Sequence, residues 1–149
     1  MSEEAPTFLP FAPTQDRDSK PYWDGLREGA FRLQRCIACS ALRWPAREIC
    51  NRCRSFENEW SDQDGAGSIE SWIRTHQAFA PALRDVVPFR VVQIRLDVQE
   101  DLLLIGGWLS DREPIRGEPV KLEIVESHTG DHLPCWKPER DSGRDSGRE

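Results

Sequence analysis

The spacing of apolar and polar residues changes several times along the 149 residues, and each change marks an element. Residues 1–18 hold three prolines, scattered acids and no sustained period, which predicts an extended arm with Phe8, Leu9 and Phe11 as its only apolar anchors. From Ser19 the period becomes helical. Ser19 can cap, Pro21 suits a first turn, Tyr22, Trp23, Leu26 and Ala30 share a face, and Gly29 can end the run. A short helical segment is therefore expected within 19–31, weakened by Gly25 in its middle. FRLQRC then reads as extended, ALRWP returns as a strand stopped by Pro45, and ENEW is another short strand. SDQDGAG is a loop by composition, which closes a module over 32–64.

The rest of the folded chain, 65–138, predicts strands. In SIESWIRTHQAF, Ile69, Ser71, Ile73 and Thr75 alternate against Ser68, Glu70, Trp72 and Arg74, as in a strand with one buried face. A proline-containing loop from Ala80 to Pro88 leads to FRVVQIRLDV, a polar turn at Gln99–Asp101, and LLLIGGWL. The Gly106–Gly107 pair predicts a bulge or bend there. VKLEIVES, the turn HTGDH and LPCWKP complete five strands. The fold class expected is mainly β: an N-terminal helix, a metal-bearing ribbon, and a five-stranded barrel of the OB type. Residues 139–149 repeat DSGR twice and are expected to be disordered.

Composition sharpens this picture. Apolar residues make up 38% and six residues are tryptophan, enough for one compact domain or two small modules sharing a core. The longest clean apolar run is only Leu102–Ile105, too short to cross a bilayer. The acidic, proline-broken start lacks the pattern of a signal peptide, so a cytoplasmic location with reduced thiols is expected.

Four of the five cysteines, Cys36, Cys39, Cys50 and Cys53, form two Cys-x-x-Cys knuckles. Two such turns converge four soft thiolates on a tetrahedral ion, for which zinc is the expected metal and a rubredoxin-like iron centre the alternative. Four cysteine ligands leave no open position, so the role expected is structural. Glycine would ease the turn after each knuckle, and Ser40 and Arg54 occupy those places.

Net charge is −6, yet seven arginines between Arg27 and Arg54 face only Glu28 and Glu48. A local basic patch on an acidic chain favours a compact anion over a long polyanion. His128 and His132 fall about a turn and read as surface residues, Cys135 reads as a buried inert thiol, and His76 as solvent-facing or hydrogen-bonded. No nucleophile, base and orienting group are visibly grouped, so the chain alone does not read as an enzyme.

PYWDGLREGAFRLQRC, RWPAREICNRC, the EW pair at 59–60 and GAGSIESWIRTH together resemble the zinc-ribbon plus OB-fold proteins that accompany thiolases. The likeness extends from about residue 20 to 138. It implies a rubredoxin-like ribbon and an OB barrel. It also implies a non-catalytic accessory subunit, handling acyl-CoA in a hetero-oligomer with a thiolase-like enzyme, and the partner's symmetry makes a heterotetramer natural. The reactions implied are thiolysis, C-acylation and retro-aldol steps in steroid side-chain breakdown, with catalytic groups on the partner. CoA phosphates suit guanidinium forks and adenine suits an indole face. On that basis Trp23, Arg27, Arg32, Arg35, Arg43, Trp44 and Arg47 are the candidate ligand- or partner-binding residues, with Arg43, Trp44 and Arg47 foremost. The alternative is a single-stranded nucleic-acid binder. Against it, the barrel segment carries more acids than bases and no lysine-rich stacking face.

Overall fold

The computed structural model describes residues 13–127 and 129–140. Phe8, Leu9, Phe11, His128 and the tail from 141 lie outside that range. Helix α1 spans Lys20–Arg27 with Pro21 in its first turn. Ser19 stands at the N-cap but its side chain does not cap, contrary to expectation. Its carbonyl accepts from the N–H groups of Tyr22 and Trp23, while its hydroxyl donates to Asp16 Oδ1 at 2.6 Å. Gly29, at φ +79°, turns the chain out of the helix as expected. Gly25 is there for packing: a Cβ would sit 2.9 Å from the Ala30 carbonyl oxygen and against the Arg32 side chain.

Strands β1 (Phe31–Cys36), β2 (Leu42–Arg43) and β3 (Asn58–Gln63) form an antiparallel sheet in the order β2-β1-β3. β3 runs further than ENEW. Its pairing with β1 continues through Leu33↔Ser61 to Phe31↔Gln63, so the first three residues of the segment read as loop are strand.

Strands β4 (Gly67–Thr75), β5 (Phe89–Leu96), β6 (Leu103–Trp108), β7 (Pro119–Glu126) and β8 (His132–Pro138) close a barrel in the order β4-β5-β6-β8-β7. The expected five strands are all present. Every pairing is antiparallel except β6 with β8, which run parallel at Gly107↔Cys135 and Trp108↔Trp136. Closure is made by Gly67↔Val120 and Ser68↔Pro119.

In β4 the expected alternation fails halfway. The register shifts between Ile69 and Ser71, and an inserted residue swaps the faces beyond it. Ile69 is buried, but Trp72 then packs on the core and Ile73 is 62% exposed. The Gly106–Gly107 pair makes no bulge; the β5–β6 register runs through it unbroken. Glycine is required at 106 because a Cβ there would collide with the Pro134 carbonyl oxygen and the Trp136 indole.

One hydrophobic cluster joins all three parts. Tyr22 and Leu26 of α1, Phe31, Leu33 and Leu42 of the ribbon, and Ile69, Val92, Ile94, Leu104 and Trp136 of the barrel belong to it. Trp136 is completely buried, meets Phe31 edge-on at 6.3 Å and donates from Nε1 to the Gly65 carbonyl at 2.9 Å.

Candidate metal centre and binding surface

The two knuckles repeat one backbone design. In the first, Ser40 N–H donates to Cys36 O at 2.8 Å and Cys36 N–H to Ala41 O at 2.9 Å. In the second, Arg54 N–H donates to Cys50 O and Cys50 N–H to Ser55 O, both at 2.9 Å. The turn needs a left-handed residue directly after each second cysteine. Ser40 at φ 65° and Arg54 at φ 63° supply it, the only non-glycine residues with positive φ among those described. The strain foreseen where glycine was missing is therefore real.

The knuckles bring the four sulfurs together. Cys36 and Cys53 Sγ are 3.5 Å apart, Cys39 and Cys50 Sγ are 3.7 Å apart, and all four lie within 4.8 Å of one another. Zinc–thiolate bonds of about 2.3 Å give a tetrahedron with edges of about 3.8 Å, so the donor set fits that ion. Cys36 and Cys50 are buried, whereas Cys39 and Cys53 reach the surface.

The local field favours a cation. The N–H groups of Cys53 and then Arg52 pull the Cys50 thiol down to about 6, and the N–H of Cys39 lowers Cys36. At Cys53 the N–H of Ser55 also lowers the value. The neighbouring sulfurs of Cys36, Cys39 and Cys50, together with burial, outweigh it and raise the thiol to about 12. Sulfurs this close cannot all ionise unless a positive charge sits between them. Cys36, Cys39, Cys50 and Cys53 would hold the ion, with every coordination position filled by protein.

The seven residues expected at a binding surface are used in different ways: Trp23 and Trp44 share Tyr22, Arg43 holds the Arg47 carbonyl, and Arg27, Arg32 and Arg35 have partners of their own. Arg27 pairs with Asp24, and Arg32 bridges Glu28 and Asp62 at 3.0 Å each. Arg35 donates to Ser61 Oγ at 3.2 Å, and its Nε is buried with no partner among the described residues. Arg43 is only 5% exposed. It donates from Nε to Gln34 Oε1 at 2.6 Å and from Nη2 to the Arg47 carbonyl at 2.9 Å, which ties the loop after β2 back to β1. Arg47 N–H donates to the same Gln34 oxygen at 2.8 Å, leaving the Arg47 side chain exposed. Trp44 lies over Tyr22 at 4.1 Å and Trp23 meets Tyr22 edge-on at 5.0 Å; both indoles are half-buried against the core. Of these arginines Arg27 and Arg32 meet carboxylates, while Arg43 is a brace of the ribbon whose Nη1 is buried with no partner among the described residues.

Cys135 is fully buried, and burial pushes its thiol up to about 12, in line with an inert core residue. Sequence reasoning missed three other groups. Gln34 anchors the loop after β2, and the Gln99–Asp101 turn reaches the ribbon. Ile37, Ile49 and Phe56 stand exposed around the knuckles at 53%, 47% and 68%. Ser55 and Glu57, on either side of Phe56, accept from Cys50 N–H and Ile37 N–H, so all three apolar side chains flank one short bridge between the knuckles. Nothing in residue type or spacing distinguishes these positions before the chain is folded.

Residues 23–59 match the family described as ChsH2, rubredoxin-like zinc ribbon domain. Over 139 residues the chain is 29% identical to the probable enoyl-CoA hydratase alpha subunit of Thermomonospora curvata. Over 130 residues it is 26% identical to the 3-oxo-4,17-pregnadiene-20-carboxyl-CoA hydratase alpha subunit of Mycobacterium tuberculosis. These alignments cover 93% and 85% of this chain but only 43% and 40% of those proteins, so the chain spans less than half the length of the curated relatives it matches. Among solved structures, the Ltp2-ChsH2(DUF35) aldolase aligns with a TM-score of 0.76 at 26% identity, covering 85% of this chain and 98% of that one. A DUF35 protein of unknown function from Sulfolobus solfataricus shares the fold at a TM-score of 0.56 and 15% identity, over 83% of this chain and 86% of that one. No helix among the described residues is long and apolar enough to cross a membrane. The resemblance expected from the knuckles and strands is met at this level: residues 23–59 are similar to the ChsH2 rubredoxin-like zinc ribbon, and the fold is shared with a chain of the Ltp2-ChsH2(DUF35) aldolase.

Proposed function

We propose that this chain is a non-catalytic, acyl-CoA-handling accessory subunit of a thiolase-like enzyme that makes or breaks carbon–carbon bonds beside a thioester. The observation that carries the reading is the alignment with 98% of a chain of the Ltp2-ChsH2(DUF35) aldolase. The hydratase relatives, by contrast, are matched over less than half their length. Hydratase activity is accordingly not carried over. The zinc is structural, one per chain, and the barrel is of the OB type by its five strands and its closure around a parallel pair.

In this reading the chain works in the cytoplasm within a hetero-oligomer, with two copies flanking a dimeric partner. Ile37, Ile49 and Phe56 have the exposure of subunit contacts, and Arg47 is the candidate arginine whose side chain stays available for a phosphate or a partner carboxylate.

The test is co-expression with a candidate thiolase-type protein from the same genome, followed by size-exclusion chromatography and titration of any complex with CoA. A stable complex with altered lyase or thiolase activity supports the reading. If the two proteins neither associate nor change each other's activity, the reading fails. Retention on immobilised single-stranded DNA at physiological salt would replace it with the nucleic-acid alternative.

A further inference from the structure

We propose that Gln99 and Asp101, in the turn between β5 and β6, are positioning residues for the metal centre, so that the barrel helps to hold the ribbon's ion. Strand β2 has one edge paired to β1, through Gln34↔Arg43 and Arg35↔Leu42. Leu42 is buried, and among the described residues no strand lies on its outer side to take its N–H and C=O.

The Gln99 side chain does so. Leu42 N–H donates to Gln99 Oε1 at 2.9 Å, and Gln99 Nε2 donates back to the Leu42 carbonyl at 2.7 Å. One amide side chain thereby stands in for a neighbouring strand, fifty-seven residues away in sequence. The same Nε2 donates to Asp101 Oδ1 at 2.6 Å, and Asp101 Oδ2 accepts from Arg52 Nη2 at 2.8 Å. Arg52 sits between two ligands, and its own N–H points at Cys50 Sγ at 3.4 Å.

A closed circuit results. From Cys50 it passes through Arg52 to Asp101, from Asp101 to Gln99, and from Gln99 to Leu42, whose strand lies beside the one ending in Cys36. Outer partners of this kind orient metal ligands, and losing one commonly weakens a site by about ten- to a hundredfold. The two members contribute unequally. The Arg52–Asp101 pair is half-exposed on both sides and is well screened by solvent. The Gln99 bonds satisfy two groups of a buried residue, and their loss leaves both unpaired.

The experiment is zinc transfer from the zinc-loaded full chain to a chromogenic chelator. Gln99→Met keeps the bulk and removes the amide; release is expected to accelerate by about tenfold. Asp101→Asn should accelerate it by only about two- to threefold. Asp62→Asn, which breaks the similarly exposed ion pair to Arg32 away from the sulfurs, should leave the rate unchanged. Wild-type release from Gln99→Met overturns the proposal, as does equal acceleration by Asp62→Asn. Hydrogen exchange of the wild-type chain gives an independent reading without any substitution. As chelator rises, residues 97–103 should lose protection before strand β7 does. Simultaneous opening, or a turn that stays protected, also overturns it.

Discussion

Replacing Ser40 and Arg54 by glycine should stabilise the protein, although each change removes a side chain from a metal-binding turn. Both residues sit in the left-handed region, at φ 65° and 63°. That conformation costs an L-residue about 1–2 kcal/mol. Glycine removes this strain but restores about 0.5–1 kcal/mol of unfolded-chain freedom. The net gain is about 0.5–1 kcal/mol per site. Neither side chain makes a hydrogen bond or ion pair among the described residues, so nothing else is lost. The sites belong to different knuckles, and Ser40→Gly with Arg54→Gly should together give about 1–2 kcal/mol, or about 3–6 °C in a domain of this size. Differential scanning calorimetry in excess zinc measures this directly, and excess metal keeps the linked binding term constant. Ser40→Val is the counter-test. A β-branched residue tolerates positive φ poorly and should lower the midpoint. A midpoint that falls in either glycine variant, or that stays put in Ser40→Val, would refute the view that the knuckles demand this backbone.

Three further outcomes follow from the same geometry. Cys50→Ser should release about one zinc per chain and unfold the ribbon, seen by metal analysis and circular dichroism; a folded variant that retains its zinc would contradict a structural site. Gly106→Ala should destabilise by about 1–3 kcal/mol in denaturant titrations, because Trp136 and the Pro134 carbonyl leave no room for a methyl group. Glu113 is held below the usual carboxylate range, first by its bond from Arg90 and further by Arg74. Because its folded value is the lower one, its stabilising contribution is complete above about pH 4.5 and disappears as pH falls through the folded value. Thermal midpoints of wild type and Glu113→Gln should therefore differ at neutral pH and converge in acid.

The knuckles were legible because metal geometry acts locally. Two cysteines three apart can aim both sulfurs at one ion from a single tight turn, and the same reasoning exposed the cost of Ser40 and Arg54. The five barrel strands were legible because period two and turn residues are also local signals. The bulge in β4 was not. Glu70 looks like any other alternating position, and only pairing with β5 reveals the slip that turns Trp72 inward and Ile73 outward. Arginine counting misled for a similar reason. Charge was visible in the chain, but Asp62 and Asp101, which neutralise Arg32 and Arg52, arrive from distant segments. Arg43, a foremost candidate for binding by its sequence position, is buried because its guanidinium meets Gln34, a partner that only sheet register supplies. Gly106 announced a special position correctly, yet the reason lay thirty residues on, in an indole that needs the space.

The shared core has a consequence for how such proteins can be cut and recombined. Tyr22, Phe31 and Leu33 share one core with Trp136, which Phe31 meets edge-on and which is itself seated by Gly65 at the head of the barrel and by Gly106 within it. A fragment ending near residue 64 would keep every metal ligand but lose the surface its helix and first strand lie on. The zinc hairpin is therefore poorly suited to be lifted out and grafted as a bead on a string. Wherever this arrangement is transplanted, the tryptophan of the last strand has to travel with the cysteines of the first.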